Sequence, residues 1–422
     1  MSVDSLLQFC KRLIPKKMFS LLQPLYHILL SISGAILYRF PAKNIIVVGV
    51  TGTKGKSSTL EMLNSIFEHA GYKTALLSTI RFKIGASSEP NLRKMTIPGR
   101  FFVQRFLRRA VREHCDIVFL ELTSEGAKQK RHWFLSLNAL VFTNLQKEHI
   151  EAHGSFENYA ASKLSIGKSL ARSKKYPRTI VANADDAYGK KFLQLPVEQS
   201  LPFSLKQNKE HSVSEKGISF AFKGTAIRSS LPGEFSLYNA LAAATLADAF
   251  GISPSTIAEG LSSLTTVPGR AENIDCGQSF SVIVDYAHTT DSLTAIYDAY
   301  DARRKICVLG STGGGRDTWK RPEMGKIAEE RCSHVILTNE DPYDEDPEKI
   351  VREIASGMNK SPDIIMDRRS AIERAVSLAK EGDAVIITGK GTDPFIMGPN
   401  GSKERWSDAS VAREVLTKVM GK

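Results

Sequence analysis

One stretch constrains this chain more than any other, because an apolar run, a glycine turn and a helix start follow without a gap: Val47-Val48-Gly49-Val50-Thr51-Gly52-Thr53-Lys54-Gly55-Lys56-Ser57-Ser58-Thr59. Residues 45–50 suit a buried parallel strand, and Leu60, Leu63, Ile66 and Phe67 recur at the spacing of a helix packing back on a sheet. Between them, Gly52 and Gly55 let the backbone approach a polyphosphate. Helix-start N–H groups and the Lys56 ammonium then hold its charge. Gly52, Thr53, Lys54, Gly55, Lys56, Ser57 and Ser58 are the candidate nucleotide contacts, with the Ser57 hydroxyl placed to meet Mg²⁺. The generic loop pattern asks for glycine where this chain has Val50, so the bare pattern leaves room for an ordinary glycine-rich strand-to-helix turn.

The rest of the chain repeats the strand–helix alternation. Apolar strand candidates fall at 45–50, 74–77, 117–122, 139–143 and 179–182, with helices at 101–113 and 157–171 between them. That order predicts an α/β fold with a doubly wound, mostly parallel sheet. Residues 203–227 read as an antiparallel extension, 234–249 as an alanine-rich helix, and 266–270 as a boundary loop. A second alternation follows, with strands at 281–284, 305–309, 334–337 and 384–388, and helices at 293–299, 322–331, 347–356, 370–379 and 408–419. The expected division is a basic, apolar helical segment (1–42), a P-loop ATPase domain (43–268) and a second Rossmann-like α/β domain (269–422).

A formal charge of +12 over 422 residues favours anionic partners. The basic residues are dispersed and no aromatic-plus-basic strand motif appears, so nucleic acid is not expected. Cys10, Cys115, Cys276, Cys307 and Cys332 form no C-x-x-C pair. They read as separate core thiols in a reducing cytoplasm, without a disulfide framework or zinc site.

Residues 18–38 carry no formal charge and are flanked by Lys11, Arg12, Lys16, Lys17, Arg39 and Lys43. Their length just reaches a membrane span. A single span with the N-terminal cluster inside would export an ATP-using domain, and no small-residue cleavage site precedes Arg39-Phe40-Pro41. Two readings stay open: a helix or hairpin touching the inner membrane face, and a helix docked on the protein.

Three polar groups follow the loop at strand ends or on the next helix: Glu121, His149 and Lys163. Taken singly they read as a strand-end charge, a capping histidine and a solvated lysine. In this order behind this loop, the chain resembles the Mur ligase family from about Lys43 to Lys422, nearest the ligases that add the third residue, lysine or diaminopimelate, to UDP-N-acetylmuramoyl-L-alanyl-D-glutamate. The matching pieces are Thr51–Thr59, Thr96-x-Pro98, Glu121-Leu-Thr123-Ser124, Phe142-Thr-Asn144-Leu, His149 with His153-Gly154, Tyr159-Ala-Ala-Ser-Lys163, Asn183-Ala-Asp185-Asp186, Tyr238-Asn239-Ala240, Pro268-Gly-Arg270, Asp285-Tyr-Ala-His288, Arg316-Asp317, Lys320-Arg321-Pro322 and Gly389-Lys-Gly391. The form T-G-T-x-G-K-[ST] is also similar to that of folylpolyglutamate synthetases.

The resemblance implies an ATP-dependent amide ligase of peptidoglycan precursor synthesis, forming an acyl phosphate and releasing ADP and phosphate. It implies ATP and two Mg²⁺ ions. Lys56 would act on the phosphoryl group; Ser57, Glu121, His149 and a carbamylated Lys163 would hold metal. Asn239, Arg270, Asp285 and His288 would contact the nucleotide. Thr96, Thr123, Gln129 and Arg131 would face the muramyl peptide, and Arg321, Glu340, Asp341, Gly389 and Asp393 the incoming amino acid. The expected partners are small molecules, the expected state is a monomer, and the expected place is the cytoplasm, at or near the inner membrane face.

The departures are specific. Diaminopimelate-adding members carry Asp-Asn-Pro-Arg where this chain has Glu340-Asp341-Pro342-Tyr343, which disfavours diaminopimelate and favours lysine or another amine. Thr-Thr-Pro becomes Thr96-Ile97-Pro98. The family's N-terminal uridine-binding domain is expected to be replaced by the short segment before Lys43. Two other readings are a folylpolyglutamate- or polyglutamate-type ligase and a non-catalytic, nucleotide-binding cell-wall scaffold.

Overall fold

A computed structural model describes residues 16–148, 150–208, 210–315 and 317–421, without the side chains of 16–22 and 24. The leading apolar run becomes β1 (Ile46–Thr51), followed by β2 (Thr74–Leu77), β3 (Arg81–Ile84), β4 (Ser87–Pro90), β5 (Ile117–Glu121), β6 (Ala139–Phe142), β7 (Thr179–Asn183) and β8 (Gln199–Phe203). These eight strands form one sheet in the order β4-β3-β2-β5-β1-β6-β7-β8. β2 through β8 along that row pair in parallel, while β3 and β4 add an antiparallel edge.

Alternation along each strand sends side chains to opposite faces. Val48, Val50, Ile117 and Phe119 enter one core with Leu60, Leu63, Ile66 and Phe67 of helix Lys56–His69. Val47, Val118 and Leu120 enter the other with Val103, Phe106 and Leu107 of helix Arg100–Arg112. Both faces are covered, which a parallel sheet requires. Helix Pro254–Ser263, unforeseen in the sequence pattern, closes against helix Lys56–His69 on the first face.

Strands β9 (His211–Ser214), β10 (Gly217–Phe222) and β11 (Thr225–Ser229) form a separate antiparallel sheet. The expected extension of the main sheet is therefore realised differently: β8 continues that sheet in parallel, and Ile218, Phe220 and Ile227 pack the small sheet onto its core.

The second half has β12 (Glu272–Asn273), β13 (Ser281–Val284), β14 (Lys305–Leu309), β15 (His334–Leu337), β16 (Asp363–Ile364) and β17 (Ala384–Ile387), ordered β12-β13-β17-β14-β15-β16. All pair in parallel except β12. A small hairpin, β18 (Phe395–Met397) with β19 (Lys403–Arg405), follows. In both sheets, the loops at the carboxyl ends of parallel strands carry Gly52–Gly55, Thr123, Asp285, His288, Glu340, Asp341 and Gly389, whereas Lys163, Asn239 and Arg321 sit on helices Phe156–Ala171, Glu234–Ala249 and Lys320–Arg331.

The cysteine expectation needs correction. Cys307 on β14 and Cys332, just beyond helix Lys320–Arg331, form a disulfide with Sγ–Sγ 2.09 Å. The helix returns antiparallel to its strand and brings two cysteines that are distant in sequence to 6.2 Å between Cα atoms, within bonding reach. Cys115 and Cys276 remain thiols, and Cys10 lies outside the described residues.

Helix Lys16–Leu37 packs on helix Arg100–Arg112. Among the described residues, no helix is long and apolar enough to cross a membrane.

Candidate active site

β1 lies where the strand order reverses, with β5 on one side and β6 on the other. At such a point the loops leave in opposite directions and open a crevice. The loop after β1 is built for close approach. Gly52 has φ 151°, and a Cβ there would sit 1.9 Å from Thr143 Oγ1; Gly55 has φ 82°, and a Cβ would sit 2.2 Å from Asn239 Oδ1. Residues after β6 hold the loop: Thr53 N–H donates to the Asn144 carbonyl at 2.9 Å, Lys54 N–H to Asn144 Oδ1 at 2.9 Å, and Thr143 Oγ1 to the Lys54 carbonyl at 2.6 Å.

Glu121 ends β5 level with Val50. Its Oε2 accepts from Ser57 Oγ at 2.9 Å and from Thr79 N–H at 2.8 Å. Thr79 Oγ1 in turn lies 2.8 Å from Thr96 Oγ1, so a short polar chain joins a candidate acceptor contact to a candidate metal ligand. Lys56 Nζ donates to the Thr53 carbonyl at 2.8 Å, and Lys163 Nζ to the Gly52 carbonyl at 2.6 Å. Burial lowers the pKa of both lysines. The charges of Glu121 and Glu148 support both ammoniums, but Lys163 also feels the Lys56 ammonium and falls well below the usual lysine range.

Across the crevice stands the loop after β13. Asp285 accepts from the N–H groups of Ala271 and Ala287, both at 2.7 Å, while burial raises its pKa against the pull of Arg270. The Arg270 guanidinium lies 4.6 Å from the Tyr286 ring centroid. His288 Nε2 meets Glu148 Oε1 at 2.9 Å, and Lys54 Nζ donates to the same oxygen at 3.1 Å. Burial, then the nearby Lys54, push the His288 pKa down to about 4. A cavity of about 750 Å³ lies between the two sheets, lined among others by Lys54, Gly55, Asn239, Arg270, Asp285 and Tyr286.

The expected acceptor contacts gather on one side. Thr123 caps helix Ser124–Lys128, and Gln129 Oε1 accepts from Arg131 Nε at 3.1 Å and Nη2 at 2.8 Å. Arg131 also donates to the Ile97 carbonyl, beside Thr96. The amino-acid candidates lie beyond β15 and β17. Asp341 Oδ1 accepts from Lys390 Nζ at 2.8 Å and Oδ2 from Lys94 Nζ at 2.6 Å; Lys94 also reaches Asp393 at 3.0 Å. Burial opposes ionisation of Asp341, but the two ammoniums outweigh it and its pKa lies below the carboxylate norm. Glu340 is buried against Gly389; Thr312 Oγ1 donates to its Oε1 at 2.7 Å, its Oε2 has no hydrogen-bond partner, and burial raises its pKa.

Arg321 stands apart. Fully buried, it is engaged by Glu345 and Glu353, each at 2.6 Å, so its charge is met within the protein. His149 and Arg316 lie outside the described residues. Among the described residues, no three acidic, histidine or cysteine side chains form a ready-made metal cluster. The Ser57 hydroxyl and Glu121 carboxylate are the hard oxygen donors at the loop, a chemistry that fits Mg²⁺ completed by phosphate and water.

Sequence reasoning missed Glu148, which ties Lys54 to His288, and Lys94, which crosses to Asp341. It also gave no role to Tyr159, whose hydroxyl meets Thr53 Oγ1 at 2.9 Å. Tyr159 stands four residues before Lys163 on one helix, hence on the same face, a signal available from spacing.

Comparison with known proteins fits this geometry. Residues 50–247 match the model of the Mur ligase middle domain, and 269–391 that of the Mur ligase glutamate ligase domain. The chain is 36% identical over 403 residues to the UDP-N-acetylmuramoyl-L-alanyl-D-glutamate–2,6-diaminopimelate ligase of Syntrophomonas wolfei subsp. wolfei, covering 92% of this chain and 81% of that protein. The chain belongs to the Mur ligase family. The enzyme of the same name from Aquifex aeolicus is 34% identical over 387 residues, covering 89% and 78%. A solved structure of a protein so named aligns with TM-score 0.61 at 27% identity, covering 89% of this chain and 79% of the other. A Mycobacterium tuberculosis folylpolyglutamate synthase aligns with TM-score 0.69 at 15% identity, covering 95% and 96%, a likeness of fold.

Proposed function

We propose that this Mur ligase joins an amino acid to the carboxylate of a muramyl dipeptide, as the third residue of a peptidoglycan precursor, at the cost of ATP. The observation that carries this reading is the convergence of Lys56, the Ser57–Glu121 pair and Lys163 on one loop, whose Lys54 and Gly55 line a cavity together with Asp285. Bound ATP with Mg²⁺ would supply the phosphoryl group that turns an unreactive carboxylate into an acyl phosphate. Lys56 offsets the charge that gathers there. Ser57 and Glu121 would hold a first metal ion, and His149 and a modified Lys163 would serve a second. Burial shifts Lys163 toward its neutral amine, the form that would attack CO₂ and release one proton to leave a carbamate; ¹³C-bicarbonate labelling reads this directly.

Arg270, Asp285, Asn239 and His288 take the nucleotide, Thr96, Thr123, Gln129 and Arg131 the acceptor, and Glu340, Asp341, Gly389 and Asp393 the amine. The incoming amino acid is lysine or a similar amine. Tyr343 presents a ring 5.7 Å from the Lys94 ammonium where diaminopimelate-adding members have a guanidinium, and Lys94 and Lys390 are already paired with carboxylates. The working division is 1–42, 43–268 and 269–422. The protein acts as a cytoplasmic monomer with peripheral contact to the inner membrane face through residues 18–38.

The test is phosphate release and product mass with ATP, Mg²⁺, UDP-N-acetylmuramoyl-L-alanyl-D-glutamate and a panel of amino acids. Lysine should give a tripeptide product. Silence across the panel would overturn the substrate class, while preference for diaminopimelate would overturn only the amino-acid assignment.

A further inference from the structure

From Leu25 onward, helix Lys16–Leu37 has its polarity reversed. Its inward stripe is polar or small: His27, Ser31, Gly34 and Ala35 are buried. Ser31 Oγ donates to the Lys130 carbonyl at 3.0 Å, His27 Nδ1 lies 2.6 Å from Arg100 Nη2, and Gly34 passes the Arg100 backbone. Its outward stripe is apolar, with Leu25 54%, Leu29 54%, Ile36 59% and Leu37 60% exposed. Leu25, Leu29 and Ile36 recur at the spacing of one helix face. A docked helix held only by the protein would show the opposite pattern, so this stripe calls for an apolar surround outside the fold.

The helix beneath it supplies the charge. Arg100–Arg112 contains five arginines and no acidic residue. Arg105, Arg109 and Arg112 are exposed at the spacing of a single face, and the guanidiniums of Arg93 and Arg105 lie 4.7 and 6.0 Å from the Phe102 ring. We infer that these two helices form a docking surface for an anionic bilayer, with the leucine–isoleucine stripe entering the acyl boundary and the arginine row meeting lipid phosphates.

The charge row selects this occupant. A second copy docking through the same face would cover the arginine row with two helices that carry no carboxylate, since a two-fold interface pairs each patch with itself. Acyl chains ask no shape of their partner, which suits a single exposed helix stripe, and anionic headgroups are attracted to clustered Lys and Arg. The inward stripe grips Arg100 and Lys130, beside the acceptor candidates Gln129 and Arg131. Docking would thus place the acceptor side of the enzyme at the lipid surface. This surface sharpens the peripheral contact proposed above and is independent of the ligase chemistry, so vesicle binding and phosphate release in solution fail separately.

The full chain is sedimented with vesicles of phosphatidylcholine alone and of equimolar phosphatidylcholine and phosphatidylglycerol, at low and high salt. Binding to the anionic vesicles only, weakened by salt, is expected. The triple variants L25E/L29E/I36E and R105E/R109E/R112E should each lose binding by about tenfold or more, with their melting temperature and phosphate release in solution kept. No binding to either vesicle, equal binding to both, or binding untouched by either variant overturns the proposal. So does a salt-resistant dimer, seen by analytical ultracentrifugation, that L25E/L29E/I36E dissociates, which would assign the stripe to self-association. If trimming residues 1–15 abolishes binding while both triple variants retain it, the surface lies in that segment instead.

Discussion

At the residue scale, the loop after β1 concentrates the chemistry in side chains that packing has already placed. Lys56→Ala removes the buried ammonium that faces the loop carbonyl, and phosphate release should fall by two to three powers of ten or so. Circular dichroism should show the fold intact; full turnover by this variant would remove Lys56 from the mechanism. Glu121→Gln keeps the shape and the hydrogen bond from Ser57 but lowers the charge offered to a cation. Its activity should return in part as Mg²⁺ is raised, so a Mg²⁺ titration with unchanged midpoint would argue against metal binding there. Lys56, Ser57 and Glu121 were legible because strand, turn and helix signals fix where such side chains point. Glu148 was not, since its partners Lys54 and His288 come from two different loops that meet only in the folded chain.

At the element scale, the loop depends on how its helix is buried. Helix Pro254–Ser263 crosses helix Lys56–His69 at Gly260, where an added Cβ would lie 2.5 Å from Ile66 Cα, and Ser65 Oγ donates to the Gly260 carbonyl at 2.6 Å. Because backbone rather than a flexible side chain is the obstacle, Gly260→Ala should force the helices apart and cost about 1–3 kcal/mol. Urea unfolding with a lower midpoint and unchanged slope would show this; an unshifted midpoint would refute it. The apolar strands and their helices announced themselves by their pattern. β3, β4, β12 and β16 did not, because Arg81, Lys83, Ser87, Glu89, Glu272 and Asp363 leave them no apolar run, and they form only where a neighbouring strand offers its edge. The Cys307–Cys332 bridge was hidden for a related reason: helix Lys320–Arg331 decides which cysteines meet.

At the scale of the whole molecule, the two halves meet through polar contacts between loops at the ends of their strands. Glu148 reaches His288 and Lys94 reaches Asp341, so residues of both halves build the site together. The His288 pKa, lowered by burial to about 4 from an ordinary 6.5, links this contact to pH. With the folded value depressed, the unfolded chain takes up the proton first. The stability contributed is fully present above about pH 6.5 and lost as pH falls through about 4, an effect on the order of 3 kcal/mol. Thermal melts between pH 7.5 and 4 should therefore flatten in His288→Gln relative to the parent; parallel curves would show that His288 is not the group responsible.

The sequence alone determined the α/β class, the phosphate loop, the parallel strands and the family, because these follow from local periodicity, glycine placement and ordered motifs within single loops. Tertiary structure decided what distance in sequence conceals. It paired Cys307 with Cys332, joined Glu148 to His288, and brought Lys94 beside Asp341. It also turned the apolar side of helix Lys16–Leu37 outward, since only the position of helix Arg100–Arg112 determines which face of that helix the protein covers.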